Sequence, residues 1–152
     1  MHGITEKVPL EQQRIYESSV KLLKSLDNYD KIVYNYSETR MKEMTRLFIY
    51  TMPFRNAWKV MGLTDKDLVQ LEEVLLENPQ KGDVIEGTGG ARKLRVQIGN
   101  HGKSGGGRVI YLDVLEREHL YLSFTYPKNV QSDLTADQKK VIRNLVEQIK
   151  KE

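Results

Sequence analysis

Residues 87–111, GTGGARKLRVQIGNHGKSGGGRVIY, decide the fold of this chain, because they predict two strands joined by a glycine-rich turn. The stretch contains eight of the eleven glycines and five cations but no acidic residue. Successive side chains of a strand point to opposite faces of a sheet. That alternation puts the apolar residues of LRVQI on one face and Lys93 and Arg95 on the other. Uncompensated cations on a hairpin suit a polyanion, and phosphate is the obvious one.

The residues on either side supply the other elements of one domain. LFIYT predicts a strand that stops at Pro53, and PFRNAWKVMG then predicts a short helix with proline near its start. A second helix has an N-cap at Thr64 and ends at Asn78. Three strands are predicted at about residues 91–98, 108–114 and 119–126, and the last helix opens at Thr135 with a capping box.

The order β-α-α-β-β-β-α predicts an α+β fold, in which helices pack on one face of an antiparallel sheet. This unit spans residues 44–152. Residues 1–43 form an N-terminal extension, interpreted as a weak amphipathic helix followed by a linker. Residues 27–40, DNYDKIVYNYSETR, are open to three interpretations: a short strand, a continuation of the helix or a linker.

Composition limits the possible functions. The chain has 152 residues and a net charge of +3. Residues 1–43 carry 7 basic and 7 acidic residues, so the whole excess, 17 against 14, lies from Met44 onward. The chain has no cysteine, which excludes disulfides and thiolate metal sites. It also has no membrane-length apolar run and no signal-peptide pattern. We therefore expect a soluble cytoplasmic protein without a membrane partner.

Three motifs in order, GTGGARKLR, GKSGGGRVIY and YPKNVQSDLT, resemble the HigB-like branch of the RelE/ParE toxin superfamily over about residues 45–152. The resemblance implies a RelE-like fold and a toxin of a type II toxin–antitoxin system. It further implies ribosome-dependent cleavage of translated messenger RNA without a metal or cofactor. The implied partners are the ribosome, mRNA and a cognate antitoxin of the HigA-like, helix-turn-helix kind.

The resemblance also implies which residues act. RNA cleavage by its own 2′-OH needs a base, positive charge on the phosphorane and an acid for the 5′-oxygen. Lys93 and Arg95 match the family's basic pair, with Lys93 the candidate base; Arg108 matches its phosphate-clamping arginine. Lys128 is a candidate acid or phosphate ligand. Further RNA-binding candidates are Arg92, Lys103 and Tyr126, the last by stacking on a base.

Other interpretations of these residues stay open. Lys93 and Arg95 could be a solvated strand face, Arg108 could anchor the loop through backbone carbonyls, and Tyr126 could be a partly buried sheet residue. Neither GNHGKS nor GTGGAR fits a nucleotide-binding motif, because Gln97 and Arg92 stand where glycines are required.

Two alternatives to the nuclease share the same fold. One is a ParE-like toxin that poisons DNA gyrase, and the other is a catalytically inactive module that binds RNA or an antitoxin. The extension has two interpretations as well. It is incidental if translation starts at Met41 or Met44, or it is a regulatory arm that packs on the domain.

Overall fold

The computed structural model describes residues 35–41, 44–97 and 106–152. Six strands and three helices are present in these ranges. The strands are β1 (Asn35–Met41), β2 (Met44–Tyr50), β3 (Asp83–Val84), β4 (Arg92–Gln97), β5 (Gly106–Val114) and β6 (His119–Pro127). The helices are α1 (Met52–Val60), α2 (Asp65–Glu77) and α3 (Ala136–Lys150), and a 3₁₀ turn, Leu115–Arg117, joins β5 to β6.

The strands form one sheet in the order β1-β2-β6-β5-β4-β3. The α+β class and the order of elements after Met44 are confirmed, with the two-residue β3 added between α2 and β4. The sheet is mixed rather than antiparallel, because β2 pairs with β6 in parallel, with Leu47 opposite His119. Strand direction between distant segments depends on the crossover that joins them, and periodicity within each segment does not encode it.

Helices cover both faces of the sheet, which corrects the expectation of a single covered face. One core joins α1 and α2 to residues such as Val109, Tyr111 and Leu122. The other joins α3 to Ile110, Leu112, Val114, Phe124 and Tyr126. Neighbouring residues of β5 therefore belong to opposite cores. A strand that is buried on both faces loses the polar alternation that would reveal a single covered face.

Local signals in the sequence explain where the helices begin. The Thr64 hydroxyl accepts a hydrogen bond from the Asp67 backbone N–H, and the Asp67 carboxylate accepts one from the Thr64 backbone N–H, which completes a capping box. Thr135 and Gln138 form the same reciprocal pair at the start of α3. α1 begins after Thr51 with a proline in its first turn.

A bulge in β6 determines which side chains face α3. The β5–β6 register shifts between Ile110, which lies opposite Phe124, and Tyr111, which lies opposite Leu122. The extra residue, Ser123, donates its hydroxyl to the Ile110 carbonyl and accepts from Thr51 through its own carbonyl. A bulge exchanges the two faces of a strand. Tyr126 consequently lies on the α3 side, although Leu122 lies on the other.

Part of the N-terminal extension belongs to the sheet. β1 pairs with β2 from Asn35 opposite Tyr50 to Met41 opposite Met44, so the short-strand interpretation holds for residues 35–41. The helix predicted at residues 10–26 lies outside the described residues, as does most of the hairpin tip at residues 98–105. No helix in the described part of the chain is long and apolar enough to cross a membrane.

Candidate nucleic-acid interface

Three strands align two arginines and a tyrosine in one row. Arg95 of β4 lies opposite Arg108 of β5, and Arg108 lies opposite Tyr126 of β6. Directly paired residues share a sheet face, and Tyr126 belongs to the α3-side core. Lys93 lies two residues before Arg95 on β4, so both side chains point to the same face of the sheet. Lys93, Arg95 and Arg108, called the basic cluster below, therefore point to the α3 side. The sequence predicted that Lys93 and Arg95 share a face, but not that this face lies under α3.

Arg108 is the most unusual member of the basic cluster. The residue is 8% exposed, yet its side chain makes one hydrogen bond within the described part of the chain, from Nη1 to the Gly107 carbonyl at 3.2 Å. A guanidinium has five N–H donors. Among the described residues no other group accepts from this side chain, so an anion could supply acceptors for the remaining donors. The geometry suits an incoming phosphate or carboxylate.

Lys93 is held by a carboxylate that the sequence analysis did not select. Its Nζ donates to Asp133 Oδ1 at 3.1 Å. Partial burial alone would raise the pKa of the Asp133 carboxyl. The Leu134 backbone N–H, the Lys93 hydrogen bond and the charges of Lys93 and Lys139 outweigh burial and hold that pKa below its usual value. Asp133 is thus an anion at neutral pH, and Lys93 acts as a hydrogen-bond donor in this state.

Tyr126 lies behind the basic cluster. The residue is 0% exposed, so its ring has no open face on which a base could stack in this conformation. Its hydroxyl is buried and lacks a hydrogen-bond partner in the described part of the protein. Burial, reinforced by the charge of Asp133 and opposed by that of Arg108, raises the pKa of this phenol strongly. Tyr126 therefore stays protonated at neutral pH, with a donor that faces the α3 side.

The remaining candidates do not all converge. Lys128 is exposed just after β6, and its backbone N–H donates to Gly106 at the start of β5. Arg92 lies on the other face of β4, where its Nη1 donates to the Gly82 carbonyl at 2.8 Å. This contact fastens the loop that follows α2 and leaves Arg92 apart from the basic cluster. Lys103 lies outside the described residues.

Two members of this region, Asp133 and Lys139, were not selected from the sequence. Asp133 lies in the YPKNVQSDLT motif two residues before the Thr135 cap, where an acidic residue has an ordinary role at a helix start. Lys139 lies in the first turns of α3 and acts on Asp133 through its charge. The sequence signal that could have identified this region is the presence of a cation and a carboxylate, Lys128 and Asp133, shortly before the Thr135 cap. Their proximity to Lys93 depends on long-range pairing.

The fold and the basic cluster together define a small α+β domain with cations gathered on the α3 face of its sheet. Residues 45–152 match the family model described as RelE toxin of the RelE / RelB toxin-antitoxin system. The chain belongs to the RelE toxin family. It is therefore a toxin of a toxin–antitoxin system, and its family implies an antitoxin partner.

Proposed function

We propose that this toxin is a ribosome-dependent mRNA endoribonuclease whose basic cluster binds the scissile phosphate. The observation that carries the proposal is Arg108, a buried guanidinium with one hydrogen bond, directly opposite Arg95 in the sheet. Two guanidinium groups side by side offer paired donors that match the oxygens of a phosphate. Family membership supports an RNA phosphate over other anions.

The reaction proposed is attack by the RNA on itself. The 2′-OH oxygen forms a bond to the adjacent phosphorus while the bond from phosphorus to the 5′-oxygen breaks. The 2′-OH proton passes to a base, and the 5′-oxygen receives a proton from an acid. The products carry a 2′,3′-cyclic phosphate and a 5′-hydroxyl. Arg95 and Arg108 stabilise the extra charge on the phosphorane.

Lysines flank the arginines and are assigned the proton transfers. Lys93 is the proposed base, and its amino group must leave Asp133 and give up a proton to solvent before it can accept the proton of the 2′-OH. Lys128 is the proposed acid or a further phosphate ligand, since it is exposed beside the start of β5. No step in this scheme requires a metal ion.

The test is cleavage of a defined message by the purified full chain in a reconstituted translation system. We expect cuts within translated codons when ribosomes are present, and fragments with 2′,3′-cyclic phosphate ends. Equal cleavage of naked RNA would remove the ribosome from the proposal. Fragments with 3′-hydroxyl and 5′-phosphate ends would contradict self-attack, because they require water as the nucleophile.

The proposed partner is a HigA-like antitoxin with a helix-turn-helix domain, in keeping with the motifs of residues 87–136. Gyrase poisoning and an inactive binding module are the competing outcomes. DNA relaxation or supercoiling that fails in the presence of the toxin, with intact transcripts, would indicate the gyrase poison. Binding to ribosomes without cleavage would indicate the inactive module.

A further inference from the structure

A carboxylate of the chain itself already binds one member of the basic cluster. Lys93 Nζ donates to Asp133 Oδ1 at 3.1 Å, and the backbone N–H of Leu134 donates to the same oxygen at 2.8 Å. An ammonium group and a backbone N–H are also the kinds of donor that bind a phosphate oxygen. An RNA phosphate that approaches the cluster therefore competes with Asp133 for Lys93.

The turn that carries Asp133 is fixed by two buried amide side chains. Gln131 Nε2 donates to the Asp133 carbonyl oxygen at 2.7 Å and to Gln138 Oε1 at 2.8 Å. Gln138 Oε1 also accepts from the Thr135 N–H at 3.0 Å. Gln131 and Gln138 are buried, and a satisfied buried polar network makes the segment around it rigid. The negative charge of Asp133 therefore stays near the cluster even when its hydrogen bond to Lys93 breaks.

A second carboxylate adjoins Lys93 but does not bind it. Asp83 of β3 lies directly opposite Lys93, and directly paired residues share a face of the sheet. Among the described residues, however, Asp133 forms an ion pair with Lys93 and Asp83 does not. A partly buried pair in contact is screened by salt less than separated, exposed charges are. Asp133 consequently has the larger effect on the availability of Lys93.

The position of this anion bears on which nucleic acids the cluster accepts. Cations that bind phosphates do so whatever the base sequence, because every nucleic acid presents the same backbone. A fixed carboxylate among those cations weakens the binding of every polyanion. A substrate that is held in place by further contacts can overcome this penalty, whereas a free strand has no such contacts.

We propose that Asp133 is a specificity-determining residue, which restrains Lys93 and so disfavours free RNA relative to message held on the ribosome. The inference rests on the proposed phosphate site and adds to it the reason why naked RNA is a poor substrate. It gives Asp133, within the motif YPKNVQSDLT, a role beyond the start of α3.

The first test measures the affinity of the purified full chain for a short 2′-O-methyl RNA, which has phosphates but no 2′-OH to attack. Asp133→Asn removes the charge but keeps an oxygen that accepts from the Leu134 N–H. We expect its Kd to fall at least about threefold. Asp83→Asn is the matched control, since it removes an equal charge opposite the same lysine, and its Kd should stay within about 1.5-fold of wild type.

A double-mutant cycle tests whether the effect passes through the lysine. In a Lys93→Met background, Asp133→Asn should change the Kd no more than the Asp83→Asn control does, because the restrained cation is gone. Unchanged or weaker binding by Asp133→Asn in the wild-type background would overturn the inference. Equal tightening by both asparagine variants would also overturn it, because the effect would then be one of net charge.

The second test compares cleavage of naked RNA with cleavage of a translated message. The rate on naked RNA relative to that on the translated message should rise at least about threefold in Asp133→Asn and stay near the wild-type ratio in Asp83→Asn. An unchanged ratio despite tighter binding would overturn the role in specificity. The expected Kd values without cleavage by any chain would support the restraint of Lys93 and count against the nuclease.

Discussion

Replacing Arg108 by methionine separates the effect of its buried charge on stability from the effect of that charge on catalysis. Methionine keeps an unbranched apolar stem of similar length, so the packing around the stem is largely retained. Arg108 as a residue is 8% exposed, and its side chain makes one hydrogen bond within the described structure. Removing a largely buried charge with so few partners among the described residues recovers about 1–3 kcal/mol. For a chain of this length that gain corresponds to about 2–12 °C in Tm.

The same substitution should abolish most of the proposed catalysis. Loss of one preorganised donor group to a phosphorane costs about 10²–10³-fold in rate. Arg108→Met should therefore melt higher than wild type by calorimetry, yet cleave a translated message at least about 100-fold more slowly.

Arg117→Met is the matched control, because Arg117 lies at the other end of the β5–β6 hairpin and its guanidinium donates to the Ile149 and Lys150 carbonyls and to Glu152. We expect this control to lose about 1 kcal/mol of stability and to keep full activity. Destabilisation of Arg108→Met by more than about 1 kcal/mol would refute the stability argument, because it would show that the charge has adequate partners in the free protein. Wild-type cleavage by the variant would refute the catalytic role of Arg108.

Four further predictions follow from the same contacts. Tyr126→Phe should leave Tm unchanged or higher, because the buried hydroxyl has no partner in the described structure. In the wild type, burial raises the pKa of Tyr126 above its usual value. The free energy of unfolding should therefore fall as pH rises past about 10, where the tyrosine of the unfolded chain ionises. The pKa of Asp133, followed by NMR, should lie below its usual value and rise in Lys93→Met. The pair of Lys93 and Asp133 is so exposed that it stabilises the fold by less than about 1 kcal/mol. This stabilisation is present above the pKa of Asp133 in the unfolded chain and is lost as pH falls through its pKa in the folded protein. Thr135→Ala should cost about 1 kcal/mol in chemical denaturation, since it removes the cap of α3. A chain that begins at Met44 should melt below the full chain, because β2 loses its partner β1; equal Tm values would show that this pairing adds nothing.

The sequence carried enough information to predict the elements from Met44 onward. Capping boxes at Thr64 and Thr135 and alternation in residues 91–98 are local signals, and each produced the predicted element. The same alternation placed Lys93 and Arg95 together on one face of β4.

Features that depend on long-range pairing were not predictable in the same way. The parallel contact of β2 with β6 and the second covered face depend on how crossovers pass the sheet. The orientation of Tyr126 depends on a bulge at Ser123 that no local sequence motif predicts. Burial of Tyr126 and Arg108 follows from those features. The aromatic ring of Tyr126 suits stacking on RNA by its residue type, but the core encloses it.

The most direct test of the central claim is mapping of transcript 5′ ends in bacteria after inducible expression of the full chain, beside Arg108→Met at equal protein level. The account predicts new 5′-hydroxyl ends within translated codons for the wild type and a loss of at least about 100-fold of those ends for the variant. Growth arrest by the wild-type chain with intact translated transcripts would contradict it.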